Sequence, residues 1–496
     1  MSGAELGLAV IGTVDLCFKY GKQLLEKYES YKAAEKEVSE RAVILAARWK
    51  RISLQLEILK QIWSTLDHDH QSLQDQILQI LHQKLEVAVS QISKIQTKYD
   101  RVSSIPRLTR WKYAFMVKGC LDTAIGELQT WQAIFDPTWY LIIRVNNPEI
   151  DTQLEKQTSQ TTAVSVASRL RQSLTEETLS NEHIFLPADG ISKFVVSEIP
   201  FSVMKTLVKV GSDTLILDHA ECDPEANMTV LTRDVRTLAR RLRNTDPVNF
   251  SLLKCFGVVK NQSERTGRTK SFDFIFRIPK SMRNPRSLRD HLCSDKRYSL
   301  SEVFTMAMQL AISVNYVHTM GFVHKSIRPE TILIFDNGIS QLGSLALVGF
   351  RSVRMADGKT LRHGDLAWDQ NLYRHPDRQG LLPEADYTMQ HDIYSLGVCM
   401  LEIGLWRSFV TYDQSGVPWP AEIRHKTDVE SSNSKTNLVA LATNELPQRM
   451  GDKFARIVIN CLTCMDQTNY DFGDSQDFED EDGVLIGVKY IEKSMD

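Results

Sequence analysis

The stretch Phe322-Val-His-Lys-Ser-Ile-Arg-Pro-Glu-Thr-Ile-Leu-Ile334 decides how this 496-residue chain folds. An amphipathic run, Ser301 to Met320, leads into it and predicts a helix. Its apolar ending, Ile332-Leu333-Ile334, predicts a strand. Between helix and strand lies a polar loop that holds His324, Ser326, Arg328, Pro329, Glu330 and Thr331.

On the C-terminal side stand Leu347-Val-Gly-Phe-Arg-Ser352, then Tyr373-Arg-His-Pro-Asp-Arg378, then Asp392-Ile-Tyr-Ser-Leu-Gly-Val-Cys-Met-Leu-Glu-Ile-Gly-Leu-Trp406. On the N-terminal side, short runs of strand type begin at Phe194-Val-Val and continue through Val208-Lys-Val and Thr214-Leu-Ile-Leu. One helix is expected from Thr229 to Arg243, followed by strands at Cys255-Phe-Gly-Val-Val and Phe272-Asp-Phe-Ile-Phe-Arg-Ile. From Ser287 on, helical patterns dominate.

The order strands, helix, strands, helices and the frame of residues 322–334 resemble a protein kinase. The catalytic loop of that family reads H-R-D-x-K-P-E-N-x-L-[IL]. His324, Pro329, Glu330, Ile332, Leu333 and Ile334 match it. The chemical positions do not. By this resemblance Ser326 replaces the Asp that takes the substrate's hydroxyl proton. Arg328 replaces the Lys that steadies the phosphate, and Thr331 replaces the metal-binding Asn. Gly349 stands where the metal-ligand Asp of D-F-G belongs, before Phe350. A glycine offers no oxygen ligand from a side chain. The phosphate-covering loop is expected at Leu207 to Thr214, which contains only Gly211. Asp218 and His219 close the strand that should carry the phosphate-binding Lys, and a carboxylate repels phosphate. Asp234 is the sole acid of the 229–243 helix, with no evident partner. Pro329, Phe350, Asp377 (a shortened A-P-E acid) and Asp392 are expected to keep the kinase shape, with Asp392 capping the loop backbone. An Asp471-Phe-Gly473 near the C-terminus falls outside the chain order of kinase parts. The resemblance implies no confident catalytic, nucleotide-binding or metal residue. ATP and Mg²⁺ are at most weak ligands, through an apolar cleft near Phe274, Phe276 and Pro279.

Residues 1–145 read as all-helical and predict an antiparallel bundle. Apolar residues recur at helical spacing from Val43 through Leu45, Trp49, Ile52, Leu56 and Leu59 to Trp63. Further helices are expected from Leu73 to Tyr99 and, after Pro106, from Leu108 to Phe135. The first helix is apolar nearly all round, with Leu6, Leu8, Val10, Ile11 and Val14 among small residues. These five are the candidates for membrane insertion, against the simpler reading of a buried bundle helix. The opening Glu5 to Lys22 and Leu45-Ala-Ala-Arg-Trp-Lys-Arg51 resemble the HeLo domain of fungal cell-death proteins. Members are similar to the four-helix executioner of the necroptosis effector mixed-lineage kinase domain-like protein. That resemblance brings with it the vocabulary of prion-inhibition and propagation, heterokaryon incompatibility and programmed cell death. It implies that the N-terminal helix is released into membranes on activation.

Residues 146–193 are polar and predict a linker or brace. Residues 194–496 form the α+β, bilobal kinase-like domain, with an acidic insert near 474–482 and an amphipathic closing helix at 483–495. A net charge of −3 argues against a nucleic-acid-binding protein. Eight scattered Cys suit a reducing compartment, and Cys461-Leu-Thr-Cys464 reads as helix rather than a metal site. No signal peptide or transmembrane run is evident in the sequence. The expectation is a signal-responsive cell-death or defence effector, in which an inactive kinase-like domain controls a membrane-perturbing bundle. It would be cytoplasmic and recruited to the plasma membrane. Its partners would be an upstream signalling protein or receptor, further copies of itself, and anionic lipid facing Lys19, Lys22, Lys27, Arg48, Lys50 and Arg51. The alternatives are an active serine/threonine kinase that binds ATP and a non-toxic protein-binding scaffold.

Overall fold

The computed structural model describes residues 3–29, 36–66, 68–100, 107–141, 148–157, 167–168, 171, 184–187, 193–209, 213–223, 226–263, 265–350, 354–355, 367–381, 383, 386–413, 418–420 and 431–469. Gly211, the Asp471-Phe-Gly473 triplet, the acidic insert 474–482 and the closing helix 483–495 lie outside these residues. The chain divides into two compact units, Met1–Gln172 and Ser173–Asp496.

The first unit is helical: α1 (Gly3–Glu29), α2 (Lys36–Ile62), α3 (His68–Asp100), α4 (Arg107–Leu141) and α5 (Pro148–Gln157). Heptad-like apolar spacing buries Leu45, Ile52, Leu56, Leu59 and Ile62 of α2, Leu78, Leu81 and Leu85 of α3, and Leu121, Leu128, Trp131 and Phe135 of α4. Side-chain pairs fix the directions. Lys60–Asp15 sets α2 against α1, and the bond from Trp131 Nε1 to the Ile77 carbonyl (2.7 Å) sets α4 against α3. These neighbours run antiparallel. Arg41–Asp122 and Arg48–Gln129 instead place α2 beside α4 in parallel, and Cys17–Leu78 with Tyr20–Glu86 place α1 beside α3 in parallel. The bundle is therefore not the simple antiparallel one expected. Consecutive helices reverse direction, but the 63–66 turn carries the chain across the bundle end rather than to the adjacent corner. Gly21 permits the closest approach, because a Cβ there would fall 1.9 Å from the Trp49 indole. Val14 is 1% exposed, so this insertion candidate sits in the bundle core. The side chains of Leu6, Leu8, Val10 and Ile11 lie outside the described residues. Among the described residues, no helix is long and apolar enough to cross a membrane.

The expected 146–193 linker is divided between the units. Ile150 and Leu154, four apart on α5, are buried, and α5 packs on α2. Arg171 is 2% exposed and its guanidinium donates two bonds to Asp151, at 2.5 and 2.8 Å. Phe185–Leu186 (β1) belongs to the second unit.

That unit opens with a six-stranded sheet in the order β1-β5-β6-β4-β3-β2. The remaining strands are β2 (Val195–Glu198), β3 (Lys205–Val208), β4 (Leu215–Glu221), β5 (Lys254–Gln262) and β6 (Thr269–Arg277). Only the β1–β5 pairing is parallel. Helix α6 (Met228–Arg243) links β4 to β5, capped by Asn227, whose side chain accepts from the Thr229 and Val230 amides. After β6 come β7 (Arg283–Ser287), α7 (Leu288–Leu292) and α8 (Leu300–Thr319), whose N-terminus is a Ser299–Glu302 capping box. Strands β8 (Phe322–Val323), β9 (Ile332–Asp336) and β10 (Ser344–Leu347) follow. Helix α9 (Met389–Leu405) is buried along nearly its whole length, beneath the loop 322–334.

Candidate functional site

The lower wall of the cleft is the loop that joins β8 to β9. Its backbone is held by one buried carboxylate, Asp392 of α9. Oδ2 accepts from the His324 amide at 2.7 Å and lies 3.0 Å from His318 Nε2. Oδ1 accepts from the Lys325 amide at 2.9 Å and from the Tyr387 hydroxyl at 2.6 Å. Burial pushes this carboxyl up, but the bond to His318 and the neighbouring donors more than reverse that and hold it below the usual range. Lys325 accepts a left-handed φ of 64° so that consecutive amides can converge on one side chain. The His324 ring receives the Ser326 amide on Nδ1 at 3.3 Å, so Nε2 carries the proton and donates to the Val348 carbonyl at 3.1 Å. Thr331 Oγ1 sits 2.6 Å from the Ser326 carbonyl and 2.9 Å from that of Arg328, and accepts from the Arg328 amide. Ser326 is half-buried, and its hydroxyl is no base at neutral pH. Arg328 is buried, with Glu330 as its neighbouring carboxylate at 3.9 Å.

The upper wall is built differently. Asp218 on β4 is fully buried. Its Oδ2 accepts from the Gly349 amide at 3.1 Å and the Phe350 amide at 2.7 Å. Gly349 has φ +92°, and a Cβ there would fall 2.5 Å from Thr331 Cγ2 and 2.7 Å from Thr331 Cβ. Position 349 therefore excludes any side chain on both conformational and steric grounds. The Phe350 ring packs 4.9 Å from His324 and 5.9 Å from Phe276.

The turn that precedes β3 lies at 199–204, between β2 and β3, and not at Leu207 to Thr214 as the sequence reading has it. It contains no glycine. It is drawn down onto the lower wall: Ser202 Oγ donates to the Glu330 carbonyl at 2.8 Å, and Ser287 Oγ donates to the Pro200 carbonyl at 2.7 Å. Met204 is fully buried, with its Cε beside Gly349.

A family model described as protein tyrosine and serine/threonine kinase matches residues 252–414. A probable cell division protein kinase of Encephalitozoon cuniculi is 32% identical over 134 residues, 27% of this chain and 39% of that protein. The mitosis inhibitor protein kinase of Schizosaccharomyces pombe is 30% identical over 117 residues, 24% of this chain and 18% of that one. A serine/threonine-protein kinase-like protein of Arabidopsis thaliana is 27% identical over 129 residues, 25% and 34% of the two. The second unit carries a protein kinase-like domain. In each case the chain spans less than two fifths of the relative's length.

The cleft of this kinase-like domain does not fit Mg·ATP. Gly349, which the kinase resemblance sets at the first metal ligand, has no room for an acid. Thr331, which it sets at the second, has its hydroxyl committed to the loop backbone. Asp218, on the strand where it expects the phosphate-binding Lys, is already bonded to two amides. Phe274 and Phe276, expected to line an apolar cleft, are fully buried in the sheet core, and Pro279 is half-buried. Among the described residues, no group of three His, Cys, Asp or Glu side chains could hold a metal ion.

One charged network of the domain escaped the sequence reading. Arg289 of α7 is fully buried. It donates to Glu330 Oε1 at 3.0 Å, Glu402 Oε1 at 2.8 Å and Ser408 Oγ at 2.6 Å, and also to the Tyr373 hydroxyl. Tyr412 donates to Glu330 Oε1 at 3.0 Å. Burial raises the Glu402 carboxyl, with Arg289 offsetting part. For Glu330, burial also pushes upward, but Arg289 and Arg328 outweigh it and hold the carboxyl below its ordinary value. Asp377, expected as the shortened A-P-E acid, is not in this network. It is half-exposed in the middle of the 376–378 turn and pairs there with His375 at 3.4 Å. Asp234 is not alone either: Arg233 reaches it at 3.3 Å. The legible signal for the network was Glu402 itself, a lone acid inside the apolar run of α9.

Proposed function

We propose that the kinase-like domain works without phosphoryl transfer, as a regulatory or binding module. One observation carries this reading: on the strand where the kinase resemblance expects a phosphate-binding Lys, the buried Asp218 carboxylate caps the Gly349–Phe350 backbone. Phosphoryl transfer rests on positioning and on neutralising charge that develops on the phosphate. A buried carboxylate there does the reverse. An active serine/threonine kinase would need a base, a metal ligand and a phosphate-binding cation from residues other than those at these positions. The test is thermal unfolding of the full chain with and without Mg·ATP, alongside a phosphate-transfer assay. A ligand at a hundred times its Kd raises stability by about 2.7 kcal/mol. The expected result is no saturable shift and no transfer, and a saturable rise in Tm with transfer overturns the reading.

The helical unit is then the effector, controlled by the kinase-like domain on a signal from an upstream protein. The HeLo resemblance of residues 3–140 and the apolar run Gly3 to Val14 support a membrane-directed role in cell death or defence. Cytoplasmic residence, recruitment to anionic plasma membrane and self-association belong to the same reading. Dye leakage from anionic vesicles by the full chain, compared with a chain lacking residues 1–18, tests it. Equal leakage by both, or none by either, removes the membrane role and leaves a scaffold.

A further inference from the structure

Helix α8 carries more apolar surface than its neighbours cover. Val303, Met306, Leu310 and Val314 form its buried face. Beside that face runs a second apolar row at four-residue spacing, Leu300, Phe304 and Met308. Leu300 is 57% exposed and Phe304 51%, and Met308 is half-buried. The turn between β9 and β10 adds to this surface. Glu302 Oε1 accepts from the Gln341 and Leu342 amides at 2.7 and 3.2 Å, which fastens the turn to the start of α8. Ile339 stands on that turn, 93% exposed, and its amide donates to Asn337 Oδ1 at 2.9 Å. On the other flank the Phe304 ring lies 6.2 Å from Phe454, in the first turn of the helix Asp452–Leu462.

We propose that residues 483–495 of this same chain dock on the row Leu300–Phe304–Met308 as an amphipathic helix. The sequence supplies the matching face: Val484, Val488, Ile491 and Met495 recur at spacings of four, three and four, while Lys489 and Lys493 fall on the other side. The connection is long enough. Asn469 is tied to the end of the helix Asp452–Leu462 region, where its Nδ2 donates to the Asn460 carbonyl at 3.3 Å and to the Thr463 hydroxyl at 2.7 Å. That helix is about 16 Å long, and residues 470–482 extend to about 40 Å. The stretch can therefore return along it to Phe454 and α8. The acids of 474–482 suit a solvated connection, not an apolar contact. The size of the row favours a tethered occupant. Four side chains offer far less than the roughly 800 Å² that each partner buries in a stable complex of separate molecules. A segment on a short tether needs no such area, because its effective concentration is on the order of millimolar. The contact uses no residue of the cleft, so it holds whether or not the domain transfers phosphate.

The test is hydrogen exchange of the full chain, read by mass spectrometry over residues 483–495. These amides should exchange at least tenfold more slowly than in a free peptide of the same sequence. V488E/I491E and F304E should each return them to the rate of the peptide. L300E/I339E, at positions more exposed than Phe304, should do the same and keeps the test valid if F304E does not fold. Peptide-like exchange in the unmodified chain, or protection that survives L300E/I339E, overturns the proposal. Dilution of the chain should leave the protection unchanged. Protection lost on dilution assigns the row to a second copy and overturns the chain's own segment as occupant.

Discussion

The two walls of the kinase-like cleft have been treated differently. The lower wall keeps its frame: one carboxylate, Asp392, holds two consecutive loop amides, a histidine and a tyrosine. The upper wall has its strands, with the Asp218 carboxylate capping a backbone and a glycine-free turn fastened to the loop below. The residues that hold this fold are thus separable from those at the positions where the kinase resemblance expects nucleotide contacts. Changes at the second set are tolerated where the polar groups left there find new partners.

Acid should expose the asymmetry most strongly. Burial lowers His324 and His291 to about 4 and His391 to about 3, all on the lower wall or in the helices around it. Each is neutral in the folded domain and binds a proton in the unfolded chain below its ordinary value of about 6.5. Their contribution is complete above that value and is lost as pH falls from about 6.5 toward 4. Tm measured across this window should fall steeply, with hydrogen exchange rising first in residues 322–331. Earlier exchange in the upper wall would contradict the comparison. The next largest effect is D392A. It strands four buried donors and should cost about 3–5 kcal/mol, read in urea unfolding. G349A should cost about 2–4 kcal/mol, from positive φ and the clash with Thr331. T331S removes the clashing methyl but keeps the hydroxyl. Combined with G349A it should recover about 1 kcal/mol, and strict additivity would show that the two do not pack as described. The smallest effect is S202A, about 0.5–1.5 kcal/mol, with faster exchange confined to the turn 199–204.

The lower wall was legible in the sequence and the upper wall was not, for a physical reason. Asp392 and the His324–Ile334 frame sit in long runs of fixed spacing that lead into helices and a strand. The upper turn is found in a kinase by its glycines, and this turn has none. The eye goes to Gly211 instead, and the four-residue strands β2 and β3 are too short for periodicity to fix their pairing. The departures from the kinase pattern were readable residue by residue, since Gly349 has no side-chain oxygen to offer a cation. What Asp218 does was not readable, because its partners lie 131 and 132 residues away. The same distance hid the pairing of Arg289 with Glu402, 113 residues apart. In the helical unit, spacing predicted the helices. Their side-by-side order depends on where the 63–66 turn sends the chain, and spacing is silent on that.

The packing of Thr331 against Gly349 also bears on mutational paths. A chain that regained an acid at 349 would meet the Thr331 side chain and a left-handed backbone at once. A chain that first changed Thr331 to Asn would give up the hydroxyl that ties three backbone groups of the loop together. Neither single step leads readily to the pair of metal ligands that the kinase resemblance expects, and each is penalised before the other can help. Under the proposed reading the pair behaves as a one-way door, held shut by the packing of Thr331 on Gly349 and by its hydroxyl's bonds to the loop backbone.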